Sequence, residues 1–85
     1  MTRLPGALTN SGALATLAVL KIRLNGEPYE LSGPMTIAAL LTELHIDSRR
    51  VAVEHNLVVV RRHAFPDTVV REGDEVEIVR FVGGG

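Results

Sequence analysis

From Val19 onward apolar and polar residues alternate, with Leu20, Ile22 and Leu24 separated by Lys21 and Arg23. A period of two predicts a strand with one buried face. Asn25-Gly26 follows directly, and this pair favours a two-residue hairpin because both central positions of a type I′ turn take positive φ. Tyr29-Glu30-Leu31 returns as the second strand, and Ser32-Gly33-Pro34 breaks it. Between Thr36 and Ile46 the period changes: Ile37, Leu40, Leu41 and Leu44 fall at i, i+3, i+4 and i+7, one face of an amphipathic helix. Thr36 is placed to cap it, its hydroxyl accepting from an orphan N–H of the first turn. His45 and Asp47-Ser48 mark its end. Val51-Ala52-Val53, a turn at His55-Asn56 and a strand from Leu57 to Val60 predict a second β-β corner. Phe65-Pro66-Asp67 interrupts the chain, Thr68-Val69-Val70 leads to a Glu72-Gly73-Asp74 turn, and Glu75 to Val82 reads as the final strand.

The order hairpin, helix, short strands, final strand predicts an α+β domain, a mixed sheet of about five strands with one main helix packed on one face. That is the ubiquitin-like β-grasp arrangement. The expected core joins Leu20, Ile22 and Leu24 to Ile37, Leu40, Leu41 and Leu44, with Val53, Val76 and Ile78 completing it. Residues 19–82 would form this domain, 1–18 a poorly ordered N-terminal extension and 83–85 a flexible glycine tail. The apolar run from Ala13 to Leu20 is short, has only Arg3 before it and continues without a cleavage site into the first strand, so it makes a weak signal peptide. No stretch approaches the roughly 20 apolar residues of a membrane span. A cytoplasmic location and no membrane partner are expected.

Composition narrows the possible chemistry. An 85-residue chain, 46% hydrophobic, suffices for one domain and one modest core, with little scaffold to spare for a deep catalytic cavity. Cysteine is absent, which excludes disulfides, thiolate nucleophiles and cysteine-ligated metal. Nine Lys and Arg against ten Asp and Glu give a net charge of -1. No basic stripe follows, and Tyr29, Phe65 and Phe81 are too few for a base-stacking platform, so nucleic acid is not an expected partner.

His45, His55 and His63 fall on a helix end, a turn and a loop without the spacing that sets ligands on one face, and all three are expected to be exposed. Glu72, Asp74, Glu75 and Glu77 lack the calcium-loop pattern; Asp74 is explained by turn chemistry and the glutamates by an outward edge. Neither a Ser-His-Asp set nor a glycine-rich phosphate loop is present. No catalytic residue, bound cofactor or metal ligand is expected.

What remains is the end. A strand with Val76, Ile78, Phe81 and Val82 runs into Gly83-Gly84-Gly85. Glycines are the costliest residues to order and add nothing to a core. Taken in isolation such an end reads first as a frayed terminus or a cloning remnant; the functional alternative is a tail without Cβ atoms that a partner threads through a narrow slot to bring a carboxylate to a nucleotide. A carboxylate is a poor electrophile, and adenylation supplies the leaving group that a sulfur nucleophile can displace. Apolar residues at both parities near the end of the last strand mark Val79, Phe81 and Val82 as a candidate docking surface; the alternative is that Phe81 caps the core.

Residues 21–85 resemble the ThiS sulfur carriers of thiamine biosynthesis. The likeness lies in Ile22-Arg23-Leu24-Asn25-Gly26-Glu27, Thr36-Ile37-Ala38-Ala39-Leu40-Leu41, Val51-Ala52-Val53-Glu54 with Asn56, Glu72-Gly73-Asp74-Glu75-Val76-Glu77-Ile78-Val79 and Phe81-Val82-Gly83-Gly84-Gly85. The last block is the most specific. Arg61-Arg62 departs from the Pro-Arg common in the family. The resemblance implies a protein that is not an enzyme: Gly85 would be adenylated with ATP by an E1-like adenylyltransferase, and would then carry a thiocarboxylate whose sulfur comes from a cysteine desulfurase or rhodanese-type donor. Gly83 and Gly84 would serve as tail, thiazole synthase would receive the sulfur, and the carrier would be a monomer when free. Three rivals share parts of the pattern: the small subunit of molybdopterin synthase, a ubiquitin-like modifier joined to lysines through Gly85, and a plain interaction module. Lys21 is the only lysine, which argues against polymeric tagging.

Overall fold

The computed structural model describes residues 19–81. The expected N-terminal extension 1–18, Val82 and the tail Gly83, Gly84 and Gly85 lie outside them. Strands β1 (Leu20–Leu24) and β2 (Glu27–Leu31) form the predicted hairpin, and its turn residues take the required left-handed values, Asn25 at φ 51° and Gly26 at φ 83°. A two-residue strand β3 (Met35–Thr36) leads into helix α1 (Ile37–Glu43). Thr36 caps the helix as its chemistry predicts, Oγ1 accepting from the Ala39 N–H at 3.1 Å. His45 ends it in the left-handed region at φ 60°.

Beyond a 3₁₀ turn at Ser48–Arg50 come β4 (Val51–His55) and β5 (Val58–Val60), then a second 3₁₀ turn at Arg62–Asp67, β6 (Val69–Val70) and β7 (Glu75–Arg80). The main sheet runs β2-β1-β7-β4-β5. β7 lies at its centre, parallel to β1 and antiparallel to β4. The mixed five-stranded sheet with one main helix is the architecture the sequence predicts. The sequence does not predict the second, two-stranded sheet, in which Met35 pairs with Val70 and Thr36 with Val69.

The core lies between α1 and the inner face of the sheet. Ile22, Ile37, Leu40, Leu41, Val53 and Val76 are buried as expected, whereas Leu20, Leu24, Leu44 and Ile78 pack against that core only partly buried. Leu31, Val51, Phe65 and Val70 join it unpredicted. Leu57, expected as the first residue of a strand, instead stands at the β4–β5 turn with φ 70° and 78% exposure. A leucine here occupies the position that Gly26 takes in the other hairpin, and a β-carbon makes that conformation unfavourable. Among the described residues no helix is long and apolar enough to cross a membrane.

Candidate functional site

Strand β7 carries the candidate site, because the chain leaves the sheet from its end. On one side β4 pairs with its whole length, from His55 opposite Val76 to Val51 opposite Arg80. Past Arg80 the Phe81 N–H still donates to the Arg50 carbonyl at 2.9 Å. On the other side β1 pairs only as far as Leu24 opposite Val76. The chain then turns back, and the Asn25 side chain takes over: the Ile78 N–H donates to Asn25 Oδ1 at 2.7 Å, and Asn25 Nδ2 donates to the Ile78 carbonyl at 3.3 Å.

Alternation along β7 sends Val76 and Ile78 toward the helix and Val79 to the open face of the sheet, where it faces Ala52 on β4. Phe81 shares the parity of Val79. The two are 60% and 62% exposed, so Phe81 does not cap the core. Val59 on β5, also exposed, lies across Glu54 on the same face, and Glu54 in turn faces Glu77. Val79, Ala52 and Phe81 thus leave apolar side chains on the open face, next to a row in which Glu54 and Glu77 lie beside Val59. Val82, predicted to share this surface, lies outside the described residues. On the opposite face at the same end of the sheet is an open hollow of about 420 Å³, lined by Leu24, Leu44, Ile46, Val51, Ile78 and Arg80.

The start of β7 is fixed by a polar cluster that overturns one expectation. His45 and His63 are exposed, but the His55 side chain is only 19% exposed and its Nε2 lies 2.7 Å from Asp74 Oδ2. A carboxylate can only accept, so the proton of this contact sits on Nε2. Asn56 Nδ2 donates to Asp74 Oδ1 at 3.2 Å and the Arg71 N–H to Asp74 Oδ2 at 2.9 Å. Asp74 therefore does more than shape a turn: it ties the β4–β5 hairpin to the entrance of β7. Burial alone pushes its carboxyl up, but the hydrogen bonds from His55, Arg71 and Asn56, with the charge of His55, outweigh this and hold it below its ordinary value. Asp47, by contrast, is held down to about 2 by hydrogen bonds from the Arg49 side chain and backbone at an open 3₁₀ turn.

A carboxyl whose pKa is depressed by folding stabilises the folded state above its unfolded pKa, and that contribution is lost as pH falls through the folded value. Asp74→Ala is therefore expected to cost about 1 to 3 kcal/mol at neutral pH, the range for stranding partly buried hydrogen-bonding partners. The cost should shrink below the ordinary carboxylate pKa of about 4. Urea denaturation of both proteins across that range measures it; a pH-independent difference would show that the ionised carboxylate is not what holds the cluster.

A small mixed sheet with its central strand leading to the C-terminus, crossed on one face by a single helix and open on the other, defines a ubiquitin-like β-grasp domain. The ThiS family model matches residues 22–85. The sulfur carrier protein ThiS of Thermus thermophilus is 39% identical over 62 residues, which cover 73% of this chain and 95% of that protein. The crystal structure of the thiamine biosynthesis protein ThiS from Geobacter metallireducens superposes with a TM-score of 0.69 at 36% identity, covering 78% of this chain and all of that one (100%). The chain belongs to the ThiS family. It is also 48% identical over 66 residues to a thiazole synthase of Paramagnetospirillum magneticum, covering 78% of this chain but 20% of that protein. The chain thus spans about a fifth of the length of the thiazole synthases it matches.

Three contacts of the site are not legible in the sequence. Asn25 and Asn56 are legible as turn residues, but not as side chains that bond to β7; the third is the half-buried His55–Asp74 contact. All three join residues far apart in the chain and leave no periodic signal.

Proposed function

We propose that the protein is a cytoplasmic sulfur carrier for thiazole formation in thiamine biosynthesis, a substrate of enzymes and not itself one, and monomeric when free. The observation that carries this reading is the family match, which runs through Gly85 and so includes the glycine tail. In the proposed cycle a Gly85 carboxylate oxygen attacks the α-phosphate of ATP on an E1-like adenylyltransferase, and pyrophosphate leaves. A sulfur nucleophile then adds to the acyl carbon and AMP leaves. Where the sulfur arrives as the persulfide of a desulfurase or rhodanese-type protein, a thiol must cleave the resulting acyl disulfide to free the thiocarboxylate. Thiazole synthase is the proposed acceptor. The occurrence of a segment like this chain inside longer proteins named thiazole synthase favours it over the molybdopterin route.

Intact-mass measurement of the protein from its native host tests the reading. A species heavier by one oxygen-to-sulfur exchange at Gly85 is expected. A chain that continues past Gly85, or one left unmodified by ATP, the cognate adenylating enzyme and a sulfur source, would overturn it.

Val79 and Phe81, with Val82, form the proposed docking surface for these partners. Large exposed aromatics within apolar patches tend to dominate binding energy. Since Phe81 is exposed, Phe81→Ala should leave the melting temperature within about a degree while weakening binding to the adenylating enzyme roughly tenfold, about 1.4 kcal/mol. Calorimetry on the two proteins distinguishes this from a structural role, in which stability would fall and affinity would hold.

A further inference from the structure

Both hairpins that flank β7 end in a left-handed asparagine, Asn25 at φ 51° and Asn56 at φ 53°. Each asparagine bonds β7 through its own backbone as well as its side chain. Asn56 holds the start of the strand: its N–H donates to the Glu75 carbonyl at 2.8 Å, and its Oδ1 accepts from the Glu75 N–H at 2.9 Å. Asn25 holds the second half: its N–H donates to the Val76 carbonyl at 2.9 Å, and its amide takes both polar backbone groups of Ile78. In each hairpin the turn residue extends the ladder past the last paired residue of its strand.

The two clasps are not equivalent. At Glu75 the strand is near Arg23 of β1 as well. At Ile78 β4 holds one edge, and on the other edge Asn25 is the only partner among the described residues. A primary amide is the side chain suited to the place, since it offers one acceptor and one donor side by side, the pattern a neighbouring strand would present.

We propose that Asn25 is a positioning residue for the glycine tail: by standing in for the missing strand at Ile78 it fixes the end of β7, so that Phe81 and the residues after it leave the sheet from one place when a partner receives them. This rests on the sulfur-carrier reading. Without the clasp, the last part of β7 is held on one side only, and ordering it becomes part of the cost of docking.

Glycine at position 25 or 26 of such a turn keeps the backbone conformation, so Asn25→Gly removes the clasp without removing the turn, and Asn56→Gly does the same at the other end. Amide exchange by NMR and steady-state adenylation by the cognate enzyme are measured on both. In Asn25→Gly the protection of the Ile78 amide is expected to fall about tenfold relative to Leu41 and Val53, the scale of one or two lost hydrogen bonds. KM for the carrier should rise by a similar factor with kcat unchanged, the signature of a lost binding contribution. Asn56→Gly should lower the melting temperature and the protection of Glu75 while leaving KM near the parent value. An Ile78 amide as protected as in the parent would overturn the clasp. Equal KM values in the two variants at matched folded fractions would reduce Asn25 to a structural role and overturn the positioning. If the parent itself is not adenylated, the carrier reading fails and takes the functional half with it, while the exchange data still decide whether the clasp exists.

Discussion

Gly84→Ala, deletion of Gly85 and addition of one residue after Gly85 are each expected to abolish ATP-dependent thiocarboxylate formation by the cognate adenylating enzyme, without moving the melting temperature. An adenylation slot must admit extended backbone and shut out water, because an acyl-adenylate that meets water is hydrolysed before sulfur arrives. A methyl group at position 84 restricts φ and widens the chain where it is threaded. An added residue displaces the reactive carbon by about 3.5 Å, the span of one extended residue, and a misplacement of about 1 Å can already cost a hundredfold in rate. Among the described residues the last fully buried side chain is Val76, with Ile78 packed against the core behind it, so changes at positions 84 and 85 lie at least six residues beyond that packing and are expected to leave the fold unchanged. Mass spectrometry of the product and a thermal melt read the two halves of this expectation. Adenylation of the extended or shortened protein at the parent rate would sink the terminal-carboxylate mechanism and leave the plain interaction module as the better reading.

The features legible in the sequence are those whose cause is local. Thr36 caps α1 through a bond to Ala39, three positions on, and Asn25-Gly26 adopts positive φ because of what those two residues are. Spacing alone marks Ile37, Leu40, Leu41 and Leu44 as the helix face, and the first three are buried, while Leu44, at the C-cap, is only partly so. Apolar residues at both parities near the end of β7 mark Val79 and Phe81 as a surface in the same way, and both are exposed. Burial that depends on distant pairing was not legible. Val70 is fully buried because β6 meets β3, and two-residue strands are too short to show a period. His55 reads as a turn residue beside Asn56; only the return of the chain at Asp74 makes it half-buried. The clasps along β7 were not legible either, because they depend on bonds between Asn25 and Ile78 and between Asn56 and Glu75, across the fold.

Phe65→Ala is expected to cost about 3 to 5 kcal/mol of stability, the usual range for truncating a buried phenylalanine. The sequence around it, Arg62-His63-Ala64-Phe65-Pro66-Asp67, shows neither strand nor helix periodicity. In the fold the 3₁₀ turn presses Phe65 into the core at 3% exposure, beside Ala38 and Leu41 of α1. The turn is anchored at both ends, by the Ala64 N–H on the Arg61 carbonyl at 2.8 Å and by Thr68 Oγ1 donating to the Ala64 carbonyl at 2.9 Å. The Thr68 carbonyl in turn accepts from the Ile37 N–H at 2.8 Å, at the first turn of the helix. The turn that carries position 65 is thus held in place and cannot easily shift to fill the void left by the ring, which places the loss toward the upper part of the range. Domains of this kind have a total stability of about 5 to 15 kcal/mol, so the variant should lose a large share of it. Phe65→Leu, which keeps most of the apolar volume, should lose less than half as much. Urea denaturation with an unchanged m-value would establish the difference, and a loss under about 0.5 kcal/mol, typical of surface sites, would remove the 3₁₀ segment from the core. Phe65 lies on the helix side of the sheet and Val79 and Phe81 on the other. At a temperature where Phe65→Ala remains folded, its KM with the adenylating enzyme should therefore match the parent, which separates the residues that hold the fold from those proposed to present the tail.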